Sequence, residues 1–119
     1  MGAVMDSYGD VLVYETEIGR SFLNQKIKVY TVMTGASRDS FRDDIIDRNS
    51  IFLNGAHHAR EVTTISQTTT QLLTLLYSFE TGDTEVVDML GKAAIIFLPV
   101  INIDSVALIS NIYEDMEDL

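Results

Sequence analysis

The sequence predicts an α/β fold, with a mixed central β-sheet and flanking helices. Three observations carry that expectation. From Lys26 to Met33 the residues alternate with a period of two, as in a half-buried strand. Ile51–Leu53 and Ala93–Ile101 are apolar runs short enough to be buried strands. Between them lies an apolar stripe at helical spacing, so a helical crossover joins the two runs and they should be parallel.

Val11–Ile18 is the first readable element, where Val-Leu-Val-Tyr opens a strand of poor alternation. Gly19-Arg20-Ser21 interrupts it, and Asn24-Gln25 supplies turn chemistry. In the strand that follows, Ile27, Val29, Thr31 and Met33 share one face, with Lys26, Lys28, Tyr30 and Val32 on the other. That pattern suits a hairpin with the first strand. Gly35–Asn49 is rich in both charges (Arg38, Asp39, Arg42, Asp43, Asp44, Asp47, Arg48) and reads as a solvated loop. Phe41, Ile45 and Ile46 can tack one helical turn of it to the body.

Ile51-Phe52-Leu53 stops abruptly at Asn54-Gly55, and a helix follows. Its stripe is Val62, Ile65, Leu72, Leu76 and Phe79, with polar Thr69 filling the gap. Gly82 stops this helix, and Asp83 can cap a short second one through Leu90, closed by Gly91. Ala93–Ile101 is rich in β-branched residues and reads as a central strand covered on both faces, with Pro99 placing its end near a sheet margin or bulge. Asn102-Ile103-Asp104-Ser105 is a turn that can start a last helical stretch, Val106–Tyr113. Residues 114–119 look like an acidic tail. Few helices remain for the sheet's second face, which suggests a domain cut short.

Composition narrows the function. The chain has 119 residues, a formal net charge of −10 and 46% hydrophobic residues. That length allows one domain at most, and the apolar content suits a globular core. The acidic balance argues against nucleic acid or an anionic membrane surface as the main partner. With no cysteine, there is no disulfide framework, and any metal site must use His and carboxylates. No apolar run is long enough for a membrane span. Residues 1–8 lack the basic and apolar regions of a signal peptide, so an exported form would need a leader these residues do not supply.

Only two histidines occur, His57 and His58, directly after Asn54-Gly55-Ala56. This strand-to-helix junction is where α/β sheets place ligands. Glu61 follows His58 by three residues. At that spacing an imidazole and a carboxylate fall on one side of a helical turn, where both can reach one zinc ion at roughly 2.0–2.2 Å. The same spacing has a second reading, in which Glu61 complements the macrodipole of a helix's first turn and the histidines are loop residues.

The wider string Ile51-Phe-Leu-Asn-Gly-Ala-His-His-Ala-Arg-Glu61 resembles the zinc-binding signature of the zinc metallocarboxypeptidases, the carboxypeptidase A-like family. There a buried strand ends at a glycine and runs through His-Ala-Arg-Glu into a helix. Two further stretches agree in order and spacing. Ile18-Gly19-Arg20-Ser21 with Lys26–Tyr30 looks like the family's hairpin near the domain start. Phe97–Asp104 looks like the strand that enters its Asn-Pro-Asp-Gly turn. The resemblance covers the chain from about residue 8 to residue 113.

Carried over by position, it implies that His58 and Glu61 are zinc ligands and that Arg60 holds the substrate or polarises the scissile carbonyl. His57 receives no ligand role. The implied cofactor is one Zn2+ per complete domain, and the implied activity is hydrolysis of the C-terminal peptide bond of peptides or proteins. Zinc would lower the pKa of a bound water, and a separate Glu would act as general base. The family is mostly secreted.

Several family residues have no counterpart. The third ligand, a downstream His, is absent because no histidine follows His58. The general-base Glu, the carboxylate-clamping Arg and the substrate-capping Tyr fall outside these residues as well. Ile103 and Ser105 replace the Pro and Gly of the family turn, and losing that Gly removes easy access to positive φ. Residues 1–119 are therefore expected to be a single, truncated N-terminal part of a peptidase catalytic domain, inactive alone and weak in zinc binding. Strand 93–101 is expected to leave an apolar edge open to self-association. An alternative of another class is a non-catalytic acidic α/β interaction module that uses its acidic tail for a basic partner. The blandest reading is an α/β domain in which the His58/Glu61 pair is accidental.

Overall fold

The computed structural model describes residues 4–8, 11–37 and 39–117. Arg38, and Asp118 and Leu119 of the expected acidic tail, lie outside the described residues. The elements run β1 (Val4–Tyr8), β2 (Val11–Arg20), β3 (Lys26–Thr34), α1 (Phe41–Ile46), β4 (Asn49–Asn54), α2 (Thr63–Glu80), α3 (Thr84–Lys92), β5 (Ala93–Leu98) and α4 (Ile103–Glu117). The five strands form one sheet in the order β1-β2-β3-β5-β4. β1–β2, β2–β3 and β3–β5 are antiparallel, and β4–β5 is parallel. The mixed α/β sheet expected from the sequence is therefore the fold.

The hairpin of β2 and β3 explains the poor alternation of its first strand. Register moves from Glu17 opposite Lys28 to Gly19 opposite Ile27, so Ile18 is the extra residue of a bulge. A bulge shifts the two-residue period by one, and the pattern on either side no longer reads as one strand. β1 was not legible at all, since Val-Met-Asp-Ser-Tyr has no clean alternation and owes its extended form to pairing with β2.

The main core lies between the sheet and helices α2 and α3. Val32, Leu76, Leu90, Ile95 and Phe97 are its buried centre, with Val13, Tyr30, Leu53, Leu72 and Phe79 packed against it. Each of the five buried side chains contributes roughly 1.5–3 kcal/mol by leaving water. Side chains alternate across a strand, so Tyr14, next to Val13, faces the other side. There its ring meets that of Phe41 in α1, with centroids 4.0 Å apart. The helical turn expected around Phe41 thus tacks the charged segment to the sheet's second face. Arg48 of the same segment is no solvated charge, because it donates to the Leu90 carbonyl at 3.0 Å.

The helical crossover differs from the expected stripe at two positions: Val62 precedes α2 and is 51% exposed, and the inward threonine is not the expected one. Thr68, and not Thr69, faces inward, and it is 4% exposed. Its hydroxyl donates to the Thr64 carbonyl at 2.7 Å, which satisfies the one polar group that burial would otherwise leave unpaired. Gly82, at φ 83°, ends α2 as expected. Asp83 caps α3 by accepting from the amides of Glu85 and Val86. That helix runs on through Gly91 to Lys92, because β5 starts directly at Ala93 and no left-handed terminator is needed.

Two expectations about the second apolar strand are corrected. β5 ends at Leu98, one residue before Pro99, which has no N–H to donate to a ladder. It is central, as its composition implied, flanked by β3 and β4, so it is not the open edge that was also expected of it. That edge is β4, where Ile51 and Phe52 are 47% and 51% exposed. The antiparallel return of β3 onto β5 is a long-range pairing that local pattern does not encode. α4 begins at Ile103, not Val106, and residues 114–117 continue it as its last turn. Ile103 and Ser105 take helical backbone, so the turn expected over 102–105 is the entry to this helix. Among the described residues, no helix is long and apolar enough to cross a membrane.

Candidate functional site

Strands β4 and β5 run parallel, so their carboxyl ends open on the same side of the sheet. There the Gly55 amide donates to the Leu98 carbonyl at 3.0 Å, the last rung between them. The chain then turns sharply at Ala56, which is 1% exposed and holds φ at 54°. A left-handed alanine costs about 1–2 kcal/mol, and the surroundings hold it there. Its amide donates to the Thr64 hydroxyl at 2.8 Å, and its carbonyl accepts from the Asn102 amide at 3.1 Å. The Ile101 amide likewise donates to the Gly55 carbonyl at 3.1 Å.

Gly55 is required by close approach. A Cβ there would stand 2.8 Å from the Thr64 carbonyl oxygen, 2.9 Å from that of Pro99 and 2.9 Å from the Thr68 hydroxyl. Only a residue without a side chain lets helix α2 and the segment after β5 close on the strand end from both sides. Thr64, half-buried in the first turn of α2, thus binds the loop that precedes the helix.

Beyond this clamp the chain presents its polar residues. His57, His58, Arg60 and Glu61 are all exposed, while Ala59 between them is buried and anchors the loop. The Glu61 amide donates to the His58 carbonyl at 3.0 Å, which closes a four-residue turn from His58 to Glu61. The Glu61 carbonyl then accepts from the Thr64 amide at 3.1 Å and the Thr64 hydroxyl at 2.6 Å, which leads into α2. His58 and Glu61 are thus the two ends of one turn just ahead of the helix.

His57 is engaged differently. Its Nε2 is bonded to the Asn54 side-chain oxygen, and its carbonyl accepts from the Asn102 side chain at 3.1 Å. Asn54 and Asn102 were not singled out as site residues from sequence. The available signal was their position, each an asparagine near the carboxyl end of an apolar run, where a side-chain amide can bond a neighbouring loop.

A catalytic zinc site has three protein donors and an open position. His58 offers an imidazole nitrogen and Glu61 carboxylate oxygens, both of the chemistry zinc takes. Among the described residues, no group of three or more His, Asp or Glu side chains comes together to complete a site. The two residues stand on a turn that hydrogen bonds hold against the ends of β4 and β5.

No curated protein matches the chain. A family model does match, described as zinc carboxypeptidase and extending over residues 1–117. It spans both parallel strands, the crossover helix, the clamped loop and α4, and the chain belongs to the zinc carboxypeptidase family.

Proposed function

We propose that these residues are the N-terminal part of the catalytic domain of a zinc-dependent carboxypeptidase, which hydrolyses C-terminal peptide bonds of peptides or proteins. The observation that carries the reading is the His58–Glu61 turn, closed at 3.0 Å and clamped at the ends of two parallel strands. His58 through an imidazole nitrogen and Glu61 through its carboxylate hold the metal. When bound, zinc supplies Lewis-acid polarisation for amide hydrolysis. Arg60, exposed between the two ligands in sequence, presents a planar fork of donors to a substrate carbonyl. His57 is held by Asn54 and by the Asn102 contact to its carbonyl, and acts as a loop residue.

The third ligand and the general base come from residues outside these 119, so this stretch alone is inactive and binds zinc weakly. The test compares zinc stoichiometry and peptidase activity of the complete domain with those of its His58→Ala and Glu61→Ala variants. Each substitution should abolish stoichiometric zinc and activity. Equal activity of wild type and His58→Ala would refute the ligand assignment. Chelator-sensitive exopeptidase activity from the 119 residues alone would refute the incomplete-site reading.

A further inference from the structure

Four successive carbonyls of the loop that leads through His58 are each held by a donor. The Ile101 amide donates to the Gly55 carbonyl and the Asn102 amide to that of Ala56, both at 3.1 Å. The Asn102 side-chain amide donates to the His57 carbonyl at 3.1 Å, and the Glu61 amide to that of His58 at 3.0 Å. Three of these bonds join backbone to backbone, and side-chain substitution leaves both partners in place. The bond to His57 alone among the four depends on a side chain. It is the one that a single residue change removes.

Asn102 forgoes a nearer use of that side chain. Its carbonyl accepts from the Val106 amide at 3.2 Å, so Asn102 is the residue that opens α4. An asparagine there ordinarily caps the helix by accepting from an amide of the first turn. Among the described residues, the side chain of Asn102 bonds the His57 carbonyl instead. Through its own amide and its side chain, one residue grips two consecutive peptide units. Because a peptide unit is planar, this fixes the plane through which the chain enters His58.

The ring of His57 is held from the opposite side. Asn54 is the last residue of β4, and its side-chain oxygen is bonded to Nε2 of that ring. An oxygen acceptor requires the proton on Nε2, so that nitrogen has no lone pair for a metal. His58 beside it is exposed and stands at the start of the turn that ends at Glu61. Two adjacent imidazoles of the same chemistry are thereby made unequal.

We propose that Asn102 and Asn54 are positioning residues, which lock His57 at its carbonyl and its ring so that His58, and not its neighbour, is presented with Glu61 to the metal. The proposal rests on the zinc carboxypeptidase reading and adds to it what selects one of two adjacent histidines.

The test uses the complete domain and three readouts: zinc affinity by competition with a chromophoric chelator, NMR of the histidine ring nitrogens, and Glu61 amide exchange without metal. In wild type, zinc should shift the ring nitrogens of His58 and leave those of His57 unmoved. Asn102→Ala should weaken zinc on the order of tenfold or more, the usual effect of removing a partner that orients a ligand. It should also speed exchange of the Glu61 amide in the metal-free form. Asn54→Ala should make the His57 ring respond to zinc. Leu90→Ala is the control for general destabilisation, since Leu90 is a core residue of α3, which packs on α2, β3 and β5. It should leave zinc affinity and both ring signals of the folded protein as in wild type. Zinc affinity within about twofold of wild type in Asn102→Ala, or a His57 ring that ignores zinc in Asn54→Ala, would overturn the lock. The ligand reading is judged apart from this by His58→Ala. If that variant kept stoichiometric zinc, the reading would fall and take the lock with it, whereas its loss of zinc beside unchanged asparagine variants would overturn the lock alone.

Discussion

Ser21 and Asp104, 83 residues apart, are joined by a hydrogen bond of 2.6 Å from the serine hydroxyl to one carboxylate oxygen. The other oxygen of Asp104 accepts from the Leu23 amide at 3.0 Å, and the serine oxygen in turn accepts from the Gln25 amide at 2.9 Å. One carboxylate in the first turn of α4 thus organises the β2–β3 turn. It also ties that turn to the segment whose Asn102 bonds the loop beside His58.

Asp104→Ala should therefore destabilise the domain more than an ordinary surface change. Hydrogen bonds to a charged group are worth about 1.5–3 kcal/mol each when partly shielded, and Asp104 is half-buried. Allowing for rehydration of the freed donors, the expected loss is roughly 1–3 kcal/mol. Urea denaturation measures it, and Ser21→Ala should give a smaller loss in the same direction. A change indistinguishable from zero in both variants would show that the link carries no stability.

Gly55→Ala should destabilise by roughly 1–3 kcal/mol, the usual cost of overpacking a filled site. Two of the three atoms that its Cβ would meet are backbone oxygens, which cannot swing aside. Gly19→Ala is the matched control, since nothing lies within 4 Å of a Cβ there. It should stay within about 0.5 kcal/mol of wild type. Parallel denaturation curves of the two variants decide the matter.

Stability should fall as the pH is raised past about 10, with Glu15 one cause and the burial of Tyr30 another. Lys28 lies 2.8 Å from Glu15, and the hydrogen bond and charge of that carboxylate raise its pKa above the ordinary 10.5. Burial, and then the same carboxylate, raise Tyr30 above its ordinary 10.0. Both groups hold their protons more tightly in the folded state than in the unfolded one. Their stabilisation is therefore complete below the unfolded values and lost as pH rises through the folded ones. The melting temperature of Glu15→Gln should decline less steeply than that of wild type between about pH 9 and about pH 11. Parallel declines would remove Glu15 from the account.

The open edge of β4 should make the chain self-associate. Its residues Asn49–Asn54 include no charge and no proline, the devices that usually blunt an edge. Phe52→Lys places a charge there without touching the main core, since Phe52 is half-exposed and lies on the β5 register next to Ile96. Sedimentation at roughly 100 µM should show association in wild type and less of it in the variant. Equal behaviour would mean that the edge is not the surface used.

What could be read from the sequence alone was whatever depends on neighbours along the chain. The strand at Lys26–Met33, the Asp83 cap and the Gly82 stop are local, and each stands where the residues implied, although β3 is buried on both faces and not on one, with Val32 in the main core. The His58–Glu61 turn was legible for the same reason, because a spacing of three is closed by a single backbone hydrogen bond. Tertiary structure decided the rest. Whether β5 or β4 is the edge depends on β3 returning to pair with β5, a contact that no local periodicity encodes. The inward turn of Thr68, the clamp of Asn102 on His57 and the link from Ser21 to Asp104 join residues that only folding brings together. Propensity and spacing act over a few residues, whereas strand order and loop clamping are set by which apolar faces can be buried at once, a property of the whole chain.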